Sequence, residues 1–157
     1  MVPDLSFQEE LFRILLAAGL GAAVGIEREL REHEAGLRTH LLVAVGSALF
    51  TLVSAYGFGE FFSQGARPIP VDPTRIAAQI VTGIGFLGAG AIIRQGSNVR
   101  GLTTAATLWA VAAIGLAAGA GFYSGAVATT VVVIVALGPL RVLTRRVLGR
   151  EGDETPS

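Results

Sequence analysis

The sequence contains no cysteine and no lysine. Without cysteine there are no disulfides, no thiolate metal sites and no thiol nucleophiles. Without lysine, every fixed positive charge is an arginine. The 12 basic residues are matched by 12 acidic ones, so the chain carries no basic footprint for a nucleic acid. Charge itself is scarce. Charged residues make up 15% of the chain and hydrophobic ones 52%, against about a quarter charged in an ordinary soluble domain. The N-terminus, Met1 to Glu10, holds Asp4, Glu9 and Glu10 and lacks a basic segment, so it does not read as a cleaved signal peptide.

The missing charges are missing in long blocks, which argues for a polytopic membrane protein and against a soluble enzyme. A spanning helix needs about 20 mostly apolar residues to cross about 30 Å of hydrocarbon. Gly101 to Leu140 is charge-free between Arg100 and Arg141, and as one helix it would run about 60 Å. It must therefore cross twice, folding near Gly119, Gly121 and Ser124. Ile76 to Ile93 and Leu41 to Phe58 are further charge-free windows. Leu5 to Ile26 is a weaker candidate, because Glu9, Glu10 and Arg13 occupy its first half and have to reach the interface by snorkelling. The reading is an all-α transmembrane bundle of about five spans over residues 1–140, followed by a basic, then acidic, tail at 141–157 that reads as disordered. Thr129 to Val135 is β-branched, but it lacks the alternation of a barrel strand.

Orientation follows from the arginines, since cytoplasmic loops carry the basic excess. Arg28, Arg31, Arg38, Arg94, Arg100, Arg141, Arg145, Arg146 and Arg150 fall on one side, and Arg13, Arg67 and Arg75 on the other. That predicts an outside N-terminus and a cytoplasmic C-terminus.

GIGFLG at Gly83 to Gly88 matches the dinucleotide fingerprint, yet it lies inside an apolar span without the strand and helix opening that motif needs. Close helix packing through Gly83, Gly85, Gly88 and Gly90 is the better reading, and Gly21 to Gly25, extended by Ala17, has the same use. The sharper alternative is that these glycines break the third span and expose carbonyls to an ion. In ERELREHEAGLRTH, Glu27 with Arg31 and Arg28 with Glu32 are opposite-charge pairs at i,i+4 on a helix that extends span one. His33 and His40 make a weak metal pair, because Gly36 lies between them.

No Asp or Glu occurs within Leu41 to Phe58, Ile76 to Ile93 or Gly101 to Leu140. A proton-coupled carrier or divalent-cation pore usually places acidic oxygens there. What remains is Gln79, Thr82, Thr103, Thr104 and Thr107, with Glu27 and Asp72 near span ends. Most of these threonines are expected to bond their own helix carbonyls. Trp109 sits mid-span and is expected to pack on the glycine-rich helix.

The segments GAAVGIERE, AGLRTHLLVAVGSALF, DPTRIAAQIVTGIGFLGAGAIIR and GSNVRGLTTAATLWAVAAIG together resemble the MgtC/SapB family of bacterial inner-membrane proteins. The resemblance covers most of Gly21 to Gly115. It implies a multi-spanning membrane protein tied to growth in low magnesium and, in pathogens, to survival inside macrophages. It also implies a regulator of the membrane ATP synthase more than a magnesium pump. The positions it singles out are Glu27, Arg28, Arg38, Thr39, Asp72, Arg75, Gln79, Gly83, Gly85, Gly88, Gly90, Arg94, Asn98, Arg100 and Thr104. Many members continue into a cytoplasmic domain like an ACT module, whereas this sequence stops soon after Arg150, which puts functions needing that domain in question. The expectation is a non-enzymatic protein of magnesium homeostasis with no cofactor, in contact with the bilayer and with a partner membrane protein, the ATP synthase or a transporter. A homo-oligomeric ion channel using the broken third span is the alternative. The sequence leaves any metal site unknown.

Overall fold

The computed structural model describes residues 5–58, 72 and 74–140. Their helices are α1 (Phe7–Glu29), α2 (Leu37–Tyr56), α3 (Thr74–Ala91), α4 (Leu102–Gly119) and α5 (Tyr123–Leu137). Between α3 and α4 lies a feature the all-α expectation lacked, a two-stranded antiparallel hairpin of β1 (Ile93–Gln95) and β2 (Asn98–Arg100), with Arg94 opposite Val99. The loop through Arg67, the tail from Arg141 and its four arginines lie outside the described residues.

Local chemistry sets the ends. Ser6 caps α1 by accepting from the Glu9 amide at 3.3 Å, and Glu9 and Glu10 sit in the first turn, where the helix dipole favours negative charge. The α1–α2 connection is closed by Glu29, whose carboxylate accepts from the Leu37 amide at 2.9 Å. It thereby supplies the cap that Gly36 has no side chain to make. Gly101 ends the hairpin at φ 83, and a Cβ there would overlap the Ala91 carbonyl. The turn into α5 falls where the sequence placed it, with Gly121 at φ 81.

α2 is the axis of the bundle. On one side Gly21 and Gly25 of α1 let that helix approach so closely that an added Cβ would lie 2.6 Å from Ala44 Cβ or 2.7 Å from Leu37 Cα. On the other side Gly115 and Gly119 of α4 do the same. A Cβ at Gly119 would sit 2.6 Å from the Ala48 carbonyl oxygen, and one at Gly115 would overlap the Ala44 carbonyl. Ala17, Ala44, Ala48, Ile114 and Ala118 are fully buried at these seams. The GxxxG of α1 thus packs as expected, and a second one, Gly115 to Gly119, escaped the sequence reading.

Burial runs opposite to that of a water-soluble protein. The interior is rich in alanine and also holds Ser47, Thr51, Ser54, Thr104, Thr107 and Thr130, while Phe86 at 82%, Val132 at 66% and Trp109 at 54% exposure face outward. In water such a surface would be one large apolar patch; in lipid it is the expected arrangement, with small and polar residues between helices. α2 and α4 are each long and apolar enough to cross a membrane.

Four expectations change. α3 runs unbroken from Thr74 to Ala91 through all four of its glycines, so the discontinuous third span is not present. Nor do those glycines make a tight seam. A Cβ on Gly83, Gly85 or Gly90 would meet nothing within 4 Å, and one on Gly88 would reach Ala105 Cβ at an ordinary 3.7 Å. Trp109 is more than half exposed, so it is largely a lipid-side residue. Arg13, expected to snorkel out, is instead held inward at 8% exposure.

Candidate functional site

The charged side chains gather at the two ends of the bundle. One end joins the start of α1 to the ends of α2 and α4. Arg13 donates to Glu9 Oε1 at 3.0 Å and to the Gly119 carbonyl at 2.9 Å, with its guanidinium 5.7 Å and 5.9 Å from the rings of Tyr56 and Tyr123. Tyr123 donates its hydroxyl to Glu9 at 2.5 Å. A buried cation is tolerated only when it is paired and hydrogen-bonded. Here one carboxylate, one carbonyl and two ring faces do that, tying α1, α2, α4 and α5 together. The sequence reading saw only charges too early in a span; Tyr56 and Tyr123 were the signal for a clasp.

Asp72, Arg75 and Gln79 belong to this same end, at the start of α3. The Thr74 hydroxyl and amide donate to Asp72 Oδ1 at 2.6 and 2.9 Å, and these bonds hold the Asp72 carboxyl below its ordinary pKa. Arg75 and Gln79 are exposed.

The opposite end carries most of the remaining candidates. Arg28, in the last turn of α1, is 3% exposed and donates from Nη2 to Thr104 Oγ1 at 3.2 Å, reaching across to the first turn of α4. Thr104 is thus an exception among the interior threonines. Thr51, Thr107 and Thr130 bond carbonyls of their own helices at 2.8 Å each; of the threonines for which such a bond was expected, Thr107 is the one that shows it. His40 is fully buried beside Gly25, with Nδ1 2.8 Å from the Gly36 carbonyl. That carbonyl can only accept, so Nδ1 carries the proton. Nε2 has no hydrogen-bond partner among the described residues. Glu27 pairs with Arg31 at 2.5 Å, its side chain only 13% exposed, as the i,i+4 spacing predicted.

Around this buried knot Arg38, Thr39, Arg94, Asn98 and Arg100 are all exposed. Arg38 and Thr39 open α2, while Arg94, Asn98 and Arg100 ride on the hairpin, where Arg94 Nε donates to the Gly96 carbonyl at 3.2 Å. The described residues provide none of these three arginines with a carboxylate partner. The structure therefore unites Glu27, Arg28 and Thr104 with an arginine rim and separates them from Asp72, Arg75 and Gln79 by the length of the bundle. Gly83, Gly85, Gly88 and Gly90 lie between the two ends on α3, outside both clusters. His33 and His40 join no group of three His, Asp or Glu side chains suited to a metal among the described residues.

The MgtC family profile matches residues 14–146 of the chain. The chain is 45% identical over 142 residues to a protein of Escherichia coli K12 named "Putative magnesium transporter YhiD", covering 90% of this chain and 65% of that one. It is 47% identical over 148 residues to Protein MgtC of Salmonella typhimurium LT2, covering 92% and 59%. An uncharacterized protein, slr0014 of Synechocystis, is 46% identical over 140 residues, covering 89% and 56%. The chain thus spans between about half and two thirds of the length of these relatives. No solved structure matches.

Proposed function

The chain belongs to the MgtC family, and from that membership we propose that it is a non-enzymatic, five-span protein of the bacterial inner membrane. It serves adaptation to low magnesium by acting on a partner membrane protein, the ATP synthase or a magnesium transporter. Its N-terminus lies outside and its C-terminus in the cytoplasm, so the arginine rim faces the cytoplasm.

The observation that carries this reading is the rim itself. Arg38, Arg94 and Arg100 stand exposed and without a carboxylate partner among the described residues, on one end of a bundle whose core is closed by alanine and glycine seams. An arginine fork holds a carboxylate or phosphate in a geometry that lysine does not reproduce. A partner's acidic groups are what such a rim recognises, and Arg28 with Thr104 fixes the helix ends that display it.

Growth of a complemented mutant at low magnesium tests the proposal. Arg38→Lys and Arg100→Lys should lose growth support while membrane levels stay normal. Full complementation by both variants would reject recognition by shape and leave only the positive-inside bias. The name of the relative YhiD favours a second reading, direct magnesium transport. That reading lacks the ion position a discontinuous α3 would have supplied, since α3 is continuous. Magnesium flux into liposomes containing this protein alone would favour it over the first.

A further inference from the structure

α2 and α3 diverge enough to leave a groove between them, a cavity of about 490 Å³, within the several hundred cubic ångströms usual for a small-ligand site. Except for Ser47 and Gln79, every residue lining it is apolar or glycine. Gly83 forms open floor, since a Cβ there would meet nothing within 4 Å. Of α3 only Ile84 is buried, so the helix presents the groove along its length rather than closing it.

The order of residues along α3 identifies the occupant. Arg75, Gln79, Gly83 and Leu87 follow one another at i,i+4 steps on one side of the helix, and the last three line the groove. Read from the membrane surface inward, that row is a cation, an amide, an open floor and an apolar side chain. A phospholipid presents the complementary order of phosphate, ester carbonyl and acyl chain. Lengths agree as well. Gln79 to Leu87 is about 12 Å of helix, and half of the hydrocarbon core is about 15 Å. The Asp72 carboxylate is hydrogen-bonded to the Thr74 hydroxyl and amide and feels the charge of Arg75 without pairing with it, and Arg75 forms no ion pair with a described carboxylate, so its guanidinium donors can turn to a phosphate. A guanidinium on phosphate is a strong, charge-assisted contact.

We propose that this groove is a phospholipid site, with the phosphate on Arg75, an ester carbonyl accepting from the Gln79 amide, and one acyl chain lying over Gly83 to Leu87. The site belongs to the leaflet on the Asp72 side, opposite the arginine rim. It requires only that the bundle spans the bilayer. A failure of lipid binding and a failure of magnesium-dependent growth are therefore separable outcomes.

Native mass spectrometry of the detergent-solubilised full chain, titrated with phosphatidylglycerol and separately with phosphatidylcholine, tests it. The parent should retain one lipid of either kind, since the phosphate is common to both. Gly83→Leu should weaken retention about tenfold, equivalent to losing the burial of roughly two methylenes. Arg75→Gln should weaken both lipids alike. Gly90→Leu is the control, because Gly90 is equally open but does not line the groove; it should bind as the parent does. Equal retention by Gly83→Leu and the parent overturns the site, as does an equal loss in Gly90→Leu, which would mark the lipid as merely annular. Should Gly83→Leu melt below the parent by circular dichroism, Arg75→Gln and Gln79→Leu on the exposed face carry the test, and undiminished binding by both overturns the proposal.

Discussion

Two sets of glycines in this protein obey the same small-residue pattern and do opposite things. Gly21, Gly25, Gly115 and Gly119 sit where α1 and α4 touch the backbone of α2, with no room for a methyl group. Gly83, Gly85 and Gly90 sit on α3, where a methyl group would touch nothing. Glycine permits close approach, and whether the approach happens depends on which face of the helix meets a neighbour. The first set builds a scaffold of three helices; the second leaves a helix whose surface is open to lipid.

The strongest way to break that contrast is Gly115→Leu. Its side chain has to displace the α2 backbone at Ala44, which goes beyond the about 1 to 3 kcal/mol of ordinary overpacking. The folded protein should be lost from the membrane, as an immunoblot of membrane fractions would report. Gly21→Ala is milder. The methyl group presses on Ala44 Cβ and the His40 carbonyl, and it should cost about 1 to 3 kcal/mol, read as a lower melting temperature in detergent. Tyr123→Phe removes the phenol that donates to Glu9 and leaves the Arg13 contacts to Glu9 and Gly119 in place. A loss of about 0.5 to 1.5 kcal/mol is expected from urea or thermal denaturation. Gly90→Ala is the smallest change and has the opposite sign. With no clash to offset it, the helix gains about 0.5 to 1 kcal/mol of backbone entropy, so melting should stay level or rise slightly.

Much of the scaffold was legible beforehand because charge-free length is a direct ruler of a membrane helix. The windows at Leu41, Ile76 and Gly101 became α2, α3 and the α4–α5 pair, and Glu27 found Arg31 at the predicted i,i+4 distance. What was not legible depends on helix rotation, which composition does not encode. The density of glycine in α3 suggested a break or a seam. Yet helix propensity alone costs only about 1 kcal/mol per glycine, too little to interrupt an apolar helix in lipid, where unpaired backbone groups cost more. Arg13 was misjudged for the reverse reason. Snorkelling is the default for a lone arginine, and only the partners brought by α2, α4 and α5 make inward burial the better choice. At the candidate site, the gathering of Arg28, Arg38, Arg94 and Arg100 at one end followed from counting spans, but the bond from Arg28 to Thr104, 76 residues apart, is tertiary.

The central claim is that identical glycine chemistry is closed in α4 and open in α3. Melting temperatures of Gly119→Ala and Gly83→Ala, measured side by side in the same detergent, test it most directly. Gly119→Ala forces a methyl group to 2.6 Å from the Ala48 carbonyl oxygen, while Gly83→Ala places one in open space. The account predicts that the first melts several degrees below the parent and the second at or above it. An equal fall in both would contradict it, because α3 would then be as tightly packed as the scaffold.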